Sequence, residues 1–487
     1  MPTYARDFFL PLLFCIASYC MSTGCNRNTA SQKAGGPGSN NSPASAQVAL
    51  WLTTPDKSAL FHKEEGTMHF TNRATRYPTI DVNDSLTFQT IDGFGFTLTG
   101  GSAYVIGKME AAPRAALLKE LFAFDAANIG ISYLRVSIGA SDLDDRVFSY
   151  DDLPPGETDS TLSKFSLAPD RKYLIPLLKE VLVINPHIKI LGSPWSPPTW
   201  MKTNDSTKGG SLKLEFYNTY ANYFVKYVQA MKAEGIPIDA ITIQNEPLHP
   251  GNNPSLLMLP AQQGLFIKNH LGPAFKSAGI NTKIILYDHN ADRIDYPISI
   301  LDDADARKYV DGSAFHLYAG TIDALSSVHN AYPEKNLYFT EQWIGAPGDF
   351  PKDLSWHVKN LIIGATRNWC RNVLEWNLAA DPNQDPHTIG GCDRCLGGLT
   401  INGNEVTRNP AYYIIAHASK FVRPGSVRIE SGLVPSLNNV AFKTPSGSKV
   451  LIVQNDSSST QSFNIRYGGR LAPTTLPAGS VGTYVWK

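Results

Sequence analysis

Ala240-Ile-Thr-Ile-Gln-Asn-Glu-Pro247 and Leu337-Tyr-Phe-Thr-Glu-Gln-Trp343 are the stretches on which the reading of this chain turns. Each is a short apolar run, rich in β-branched or aromatic residues, that closes on a glutamate: Glu246 in the first and Glu341 in the second. Such a run reads as a buried strand. A carboxylate at the carboxyl end of a buried strand is partly desolvated, and its pKa can leave its solution value. Working outward, the two runs predict strands at 238–245 and 336–342, and similar runs occur at 91–97, 131–138, 188–194, 282–288, 312–318 and 371–378. Helical spacing fills the intervals, as in Pro113 to Leu121, Tyr173 to Ile184, Phe216 to Glu234 and Gln262 to Ala278. Pro186, Pro237 and Pro333 stop a helical pattern shortly before a strand begins. Eight strand–helix units across residues 90–420 predict an α/β fold, a (β/α)8 TIM barrel.

The flanks differ in character. Residues 48–89 carry short β-like runs such as Val48 to Leu52. After Pro424 come Val427–Glu430, Asn439–Phe442, Lys449–Val453, Ser462–Ile465 and Thr483–Trp486, separated by turn residues such as Gly468-Gly469. Five short strands need a partner face, and the N-terminal runs are the available donor. The expectation is one discontinuous all-β sandwich side domain formed by both chain ends, 48–89 plus 421–487.

The first residues read as targeting rather than structure. Arg6 precedes an apolar stretch from Phe8 to Cys20, shorter than the ~20 residues that span a bilayer. Ser22-Thr23-Gly24-Cys25 resembles a bacterial lipobox, so residues 1–24 are expected to be a lipoprotein-type signal peptide and Cys25 the lipidated residue. Residues 25–47 are poor in apolar side chains and read as a flexible tether. The expected location is an outer-membrane or cell-surface lipoprotein, with periplasmic or simple secretion as the alternative. Any membrane contact would then run through the lipid at Cys25 alone. Lys+Arg 43 balances Asp+Glu 43, so no global field points to a nucleic-acid partner or an anionic surface. Cys392-x-x-Cys395 in a Gly-rich stretch of an exported chain predicts a disulfide ahead of free thiols or a metal. Cys370 beside Trp369 reads as a packed thiol. No metal and no cofactor are expected, and a monomer is.

In a barrel of this kind functional side chains project from the carboxyl ends of the strands. On this count Glu246 ends strand four and Glu341 ends strand seven, on opposite sides of the mouth. Two carboxylates facing one substrate are the equipment for cleaving a glycosidic bond. Arg135, at the end of strand two, is the candidate donor that keeps Glu341 ionised. His316-Leu-Tyr318 ends strand six, and strand alternation puts both polar rings on one side. The tyrosine can bond the nucleophile, and the histidine can orient it or touch substrate. His249 and His289 sit in separate loops without zinc-ligand spacing. Trp200 is assigned to packing.

Beyond residue 48 the chain resembles family 30 of the glycoside hydrolases, which includes glucosylceramidases and microbial β-1,6-glucanases. The resemblance rests on Ile91-Asp-Gly-Phe-Gly95, Tyr133-Leu-Arg-Val-Ser137, Ser193-Pro-Trp-Ser-Pro-Pro-Thr-Trp-Met-Lys202, Thr242-Ile-Gln-Asn-Glu-Pro247, Phe339-Thr-Glu-Gln-Trp343, Trp376-Asn-Leu378 and Arg408-Asn-Pro-Ala-Tyr-Tyr413. It implies a retaining mechanism with Glu246 as acid/base and Glu341 as nucleophile. It also implies that Asn245 bonds the sugar 2-hydroxyl, that Asp142 binds ring hydroxyls, and that Trp195 and Trp376 wall the sugar. The loop Tyr287-Asp-His-Asn-Ala-Asp292 offers Asp288, His289 and Asn290 as substrate contacts and resembles the bacterial β-1,6-glucanase branch. A β-glucan polysaccharide or oligosaccharide, most of all a β-1,6-glucan, is therefore the expected partner. An exo-acting β-glucosidase or glucosylceramidase-like enzyme is the first alternative and a β-xylosidase or xylanase the second. A carbohydrate-binding lipoprotein without catalysis is a reading of another class, which the presence of both glutamates disfavours.

Overall fold

Tyr133-Leu-Arg-Val-Ser137 is buried at every position, as a parallel strand covered on both faces must be. Eight such strands close into a parallel barrel in chain order: Gly93–Thr97, Tyr133–Ser137, Lys189–Ser193, Ala240–Thr242, Lys283–Asn290, Val310–His316, Asn336–Glu341 and Cys370–Glu375. This computed structural model describes residues 47–66, 68–73 and 75–487. The expected signal peptide, the lipidation site Cys25 and all but the last residue of the tether lie outside the described residues. Among the described residues, no helix is long and apolar enough to cross a membrane.

Side-chain alternation explains how the barrel builds its mouth. Tyr133, Leu191, Ala240, Ala314 and Leu374 belong to one buried cluster, with Ile285 and Tyr338 completing it. Two residues further along the same strand faces come Arg135, Ser193, Thr242, His316 and Trp376. Strands five and seven depart from this rule. The register between strands five and six shifts at Ala314/Phe315, and that between six and seven at Phe315/His316. These irregularities pass over Asp288 and Thr340, adding one residue to each strand and re-aiming the side chains that follow. Tyr287 and Asp288 both take left-handed backbone (φ 73° and 70°), which is uncommon outside glycine.

Helices pack outside the strands. The helix Tyr217–Ala233 buries Tyr220, Tyr223, Phe224, Tyr227 and Met231, a spacing of three and four that lays one stripe on the barrel. Thr99 caps the helix Gly100–Gly107, its side chain accepting from the Ser102 N–H. The predicted helix 262–278 is continuous from Pro260 to Ser277 but widens to a π segment at Ile267–Leu271.

Both flanks share one antiparallel-rich sheet system. Gln47–Thr53 pairs with Val481–Trp486, and Thr79–Thr90 pairs with Val427–Ser431 on one side and, in parallel, with Gln461–Tyr467 on the other. The long strand Thr79–Thr90 thereby links two layers over a core of Phe70, Ile80, Ile429, Leu451, Phe463, Tyr484 and Trp486. The reading of the sequence missed this long strand, in which Asp81, Asn83 and Asp84 dilute the apolar pattern, and also Arg470–Leu476, where Pro473 sits on a sheet edge. His417, fully buried on helix Pro410–Ser419, joins barrel to sandwich through Thr483 Oγ1 at 2.9 Å and Thr53 Oγ1 at 2.8 Å.

Candidate active site

The barrel mouth opens into a cleft of about 470 Å³, lined by Asp142, Trp195, Glu246, His249, Asn252, His289, Asn290, Tyr318, Glu341, Trp343, Trp376, Cys392 and Cys395. A cleft of this size with a few convergent polar groups is the usual form of a small-molecule site. A carboxylate oxygen of Glu246, one of Glu341 and a ring nitrogen of His316 lie within 4.8 Å of one another.

Glu341 is the last residue of strand seven, as expected. Glu246 is not at a strand end: strand four stops at Thr242, four residues earlier. Its backbone turns left-handed (φ 44°), while the N–H groups of this segment still reach carbonyls at the ends of the neighbouring strands three and five. Asn245 N–H donates to the Pro194 carbonyl at 2.8 Å and Glu246 N–H to the Asp288 carbonyl at 3.0 Å. The two glutamates therefore meet across the mouth from a turn and a strand.

Arg135 is fully buried and organises the floor. Nη1 donates to Glu341 at 2.5 Å; Nη2 donates to Asp288 at 2.8 Å, Asn245 Oδ1 at 2.7 Å and Ser193 Oγ at 3.2 Å. Its guanidinium stacks 4.7 Å over Trp195, whose ring lies 5.4 Å from Trp376. Asp288, expected to touch substrate, is instead wholly buried beneath the site. It accepts from Arg135, Ser193 Oγ, Thr242 Oγ1 and Thr340 Oγ1, with His316 Nε2 at 3.1 Å. Burial raises its carboxyl, but Arg135 and His316 outweigh that and hold it far below the usual carboxylate range. Asn245, expected at the sugar 2-hydroxyl, accepts on Oδ1 from Arg135, which leaves its Nδ2 as the donor available to a sugar.

His316 is also fully buried, with Nδ1 3.1 Å from Glu246 Oε1 and 3.7 Å from Glu341 Oε1. Burial would lower its pKa; the carboxylates of Glu341, Asp288 and Glu246 instead raise it to about 9. The imidazole is therefore a cation at neutral pH. At Glu246 burial is opposed by this cation, which holds the carboxyl below its ordinary value. At Glu341 burial and the charges of Glu246 and Asp288 prevail over His316 and Arg135, and the carboxyl is raised. That order is the reverse of what an acid at Glu246 needs, and the geometry reconciles the two. His316 Nδ1 lies one hydrogen bond from Glu246 Oε1, within reach to exchange a proton with it. Tyr318 supplies Glu341 with a second donor, its hydroxyl 3.0 Å from Oε1.

The remaining expected residues line the cleft. Asp142 is buried and raised to about 7, by burial and then by Glu341. His289 comes within 3.9 Å of Glu246, leaves Nδ1 without a partner, and is lowered to about 4 by burial. Asn290 Oδ1 accepts from the Tyr318 N–H at 2.9 Å. Trp200 packs away from the cleft against Phe216. Cys392 and Cys395 form a disulfide, and Cys370 is a buried thiol. Sequence reasoning did not assign His249, Asn252 or Trp343 to the site. Trp343 follows Glu341 by two residues, a signal available from strand position; the two loop residues carry none, since only the fold returns their loop to the mouth.

Residues 91–422 match the glycosyl hydrolase family 30 TIM-barrel domain, and residues 425–484 match the glycosyl hydrolase family 30 beta sandwich domain. The chain is 38% identical to an endo-1,6-beta-D-glucanase of Neurospora crassa, over 77% of this chain and 81% of that protein. It is 31% identical to the lysosomal acid glucosylceramidase of Mus musculus, over 82% of each. Among solved structures, the endo-beta1,6-glucanase BT3312 superposes with a TM-score of 0.84 at 37% identity, covering 90% of this chain and 99% of that one. The chain belongs to glycosyl hydrolase family 30 and is a glycoside hydrolase.

Proposed function

We propose that the enzyme hydrolyses β-1,6-linked glucan with retention of configuration, Glu341 attacking the anomeric carbon and Glu246 protonating the leaving oxygen. The observation that carries this reading is the closeness of the two carboxylates, with oxygens within 4.8 Å. Inverting enzymes hold their carboxyl groups about 6.5–9.5 Å apart to admit a water, whereas retaining ones hold them about 5–5.5 Å apart. In the first step Glu341 Oε bonds to the anomeric carbon as the glycosidic C–O bond breaks. The leaving oxygen takes one proton through Glu246, which receives it from His316 Nδ1 across their hydrogen bond, so that the step ends with Glu246 as carboxylate and His316 neutral. In the second step Glu246 removes a proton from water, water attacks the same carbon, and Glu341 leaves as carboxylate. Arg135 and Tyr318 keep charge on the departing Glu341 oxygens.

The choice of β-1,6-glucan is supported by the names of the relatives in Neurospora crassa and of BT3312. The disulfide at the cleft suits an oxidising compartment, which supports export; on this reading Cys25 carries the lipid. The test is a product profile. Purified enzyme should release short oligosaccharides from pustulan, a β-1,6-glucan. Inactivity there, with turnover of an aryl β-glucoside or glucosylceramide, would replace the substrate assignment with the glucosylceramidase-like one.

A further inference from the structure

We propose that the Cys392–Cys395 disulfide is a positioning element of the sugar cleft, holding the Cys392 backbone N–H on the Asp142 carboxylate and its own sulfurs against the tryptophan wall. The inference rests on the reading of the cleft as a sugar site. Both bonded cysteines line that cleft. Cys392 N–H donates to Asp142 Oδ2 at 3.2 Å, while Thr388 N–H donates to the Asp142 backbone carbonyl at 2.8 Å. The loop thus clasps Asp142 by main chain and side chain together. Gly391 lies so close to the Asp142 carbonyl that a Cβ there would collide with it. Cys395 opens the short strand Cys395–Leu396, antiparallel to Ile344–Gly345, which begins three residues after Glu341. Its side chain packs in one cluster with Leu143, Trp195 and Trp376, and Trp343 and Cys392 lie against that cluster.

The cross-link therefore joins two walls that carry different parts of the chemistry: the Asp142 loop and the segment leaving Glu341. Its contribution is local. A sequence separation of 3 closes a very short loop, and the chain-entropy gain of a disulfide grows with loop length. It anchors the chain immediately after Gly390-Gly391, whose backbone otherwise has wide freedom. Among the described residues, the Cys392 N–H is the only donor that another residue gives to the Asp142 carboxylate. That carboxylate faces Glu341 and Glu246, both of which oppose its ionisation, so the donor favours its charged form.

Full-length oxidised enzyme is compared with the same enzyme treated with a water-soluble phosphine, with reoxidised enzyme, and with the C392S/C395S double variant. The phosphine supplies two electrons and is converted to its oxide, and the two sulfurs take up two protons from water. On a β-1,6-gluco-oligosaccharide, KM should rise about tenfold on reduction, the loss of roughly one hydrogen-bonded sugar contact, with kcat within about threefold. Reoxidation should restore KM. The Asp142 carboxyl ¹³C resonance, assigned through Asp142→Asn, should titrate at higher pH in the reduced enzyme. Unchanged KM and an unchanged Asp142 titration after complete reduction overturn the proposal. If the double variant does not fold, reduced wild type carries the same comparison. If oxidised enzyme turns over no β-glucoside, the sugar reading fails. The Asp142 titration then decides: an upward move supports the positioning role, and none refutes it.

Discussion

Replacing Arg135 by methionine removes a guanidinium that is fully buried and bonded to two carboxylates, at 2.5 Å to Glu341 and 2.8 Å to Asp288. Asp288 is entirely buried as well, so among the described residues its charge would keep only His316 as a cationic partner. Breaking a buried ion pair from one side costs about 3–5 kcal/mol, because the surviving charge stays desolvated. Unfolding entropy of about 2.1 cal/mol/K per residue, applied to the compact unit Ser45–Lys487, gives close to 0.9 kcal/mol per degree. The melting temperature should therefore fall by about 3–5 °C near pH 7. The sign of the pH dependence is fixed by Asp288. Its carboxyl is lowered in the folded wild type, so its stabilisation is present above the unfolded value near 3.8 and is lost as pH falls through the folded one. Without Arg135, burial raises that carboxyl, the folded variant takes up a proton earlier, and the deficit narrows between pH 7 and pH 5. Arg135→Lys should recover part of the loss, since an ammonium cannot serve Glu341, Asp288 and Asn245 with separate donors at once. Scanning calorimetry at the two pH values checks this. A melting temperature within about 1 °C of wild type at pH 7, or an undiminished deficit at pH 5, refutes the charge-balance argument.

Glu341→Gln should abolish turnover of β-glucan while oligosaccharide binding stays measurable by calorimetry; full activity would remove Glu341 from the mechanism. The profile of kcat/KM against pH should be bell-shaped, because Glu341 must lose a raised proton and His316 must keep one up to about pH 9. In His316→Asn the alkaline limb should move and kcat should fall about 10²–10⁴-fold, and an unmoved limb would contradict the proton-holding role. His417 is buried neutral with its pKa lowered to about 3, so the unfolded chain binds a proton that the folded one refuses as pH drops below about 6.5. His417→Gln should flatten the loss of stability between pH 6.5 and 5 by about 2 kcal/mol, read as the pH slope of the melting temperature.

Much of the site was legible because its determinants are local. Arg135 and His316 fall on inward strand positions that simple alternation identifies, and Glu341 closes an apolar run. Glu246 was found by its motif, although its strand ends earlier than the pattern suggested. Asp288 was expected at the mouth as a substrate contact and lies instead beneath it. A register shift and two successive left-handed residues turn Asp288 under Arg135, and neither leaves a mark in hydropathy. His249 and Asn252 escaped because loop residues have no period, and their approach to the cleft depends on where a neighbouring loop runs. Asn253 there accepts on its backbone carbonyl from the Thr388 hydroxyl, a partner 135 residues away.

The sequence by itself determined the order of eight strand–helix units, the β character of both ends and the pair of glutamates, since hydrophobic period and strand-end position are properties of neighbouring residues. Only the tertiary structure decided which polar groups form the floor and which face the cleft, that His316 bonds Glu246, and that a C-x-x-C pair lies against Asp142 and the tryptophans. Those outcomes depend on register, backbone handedness and contacts between residues hundreds of positions apart, and such contacts exist only once the barrel has closed.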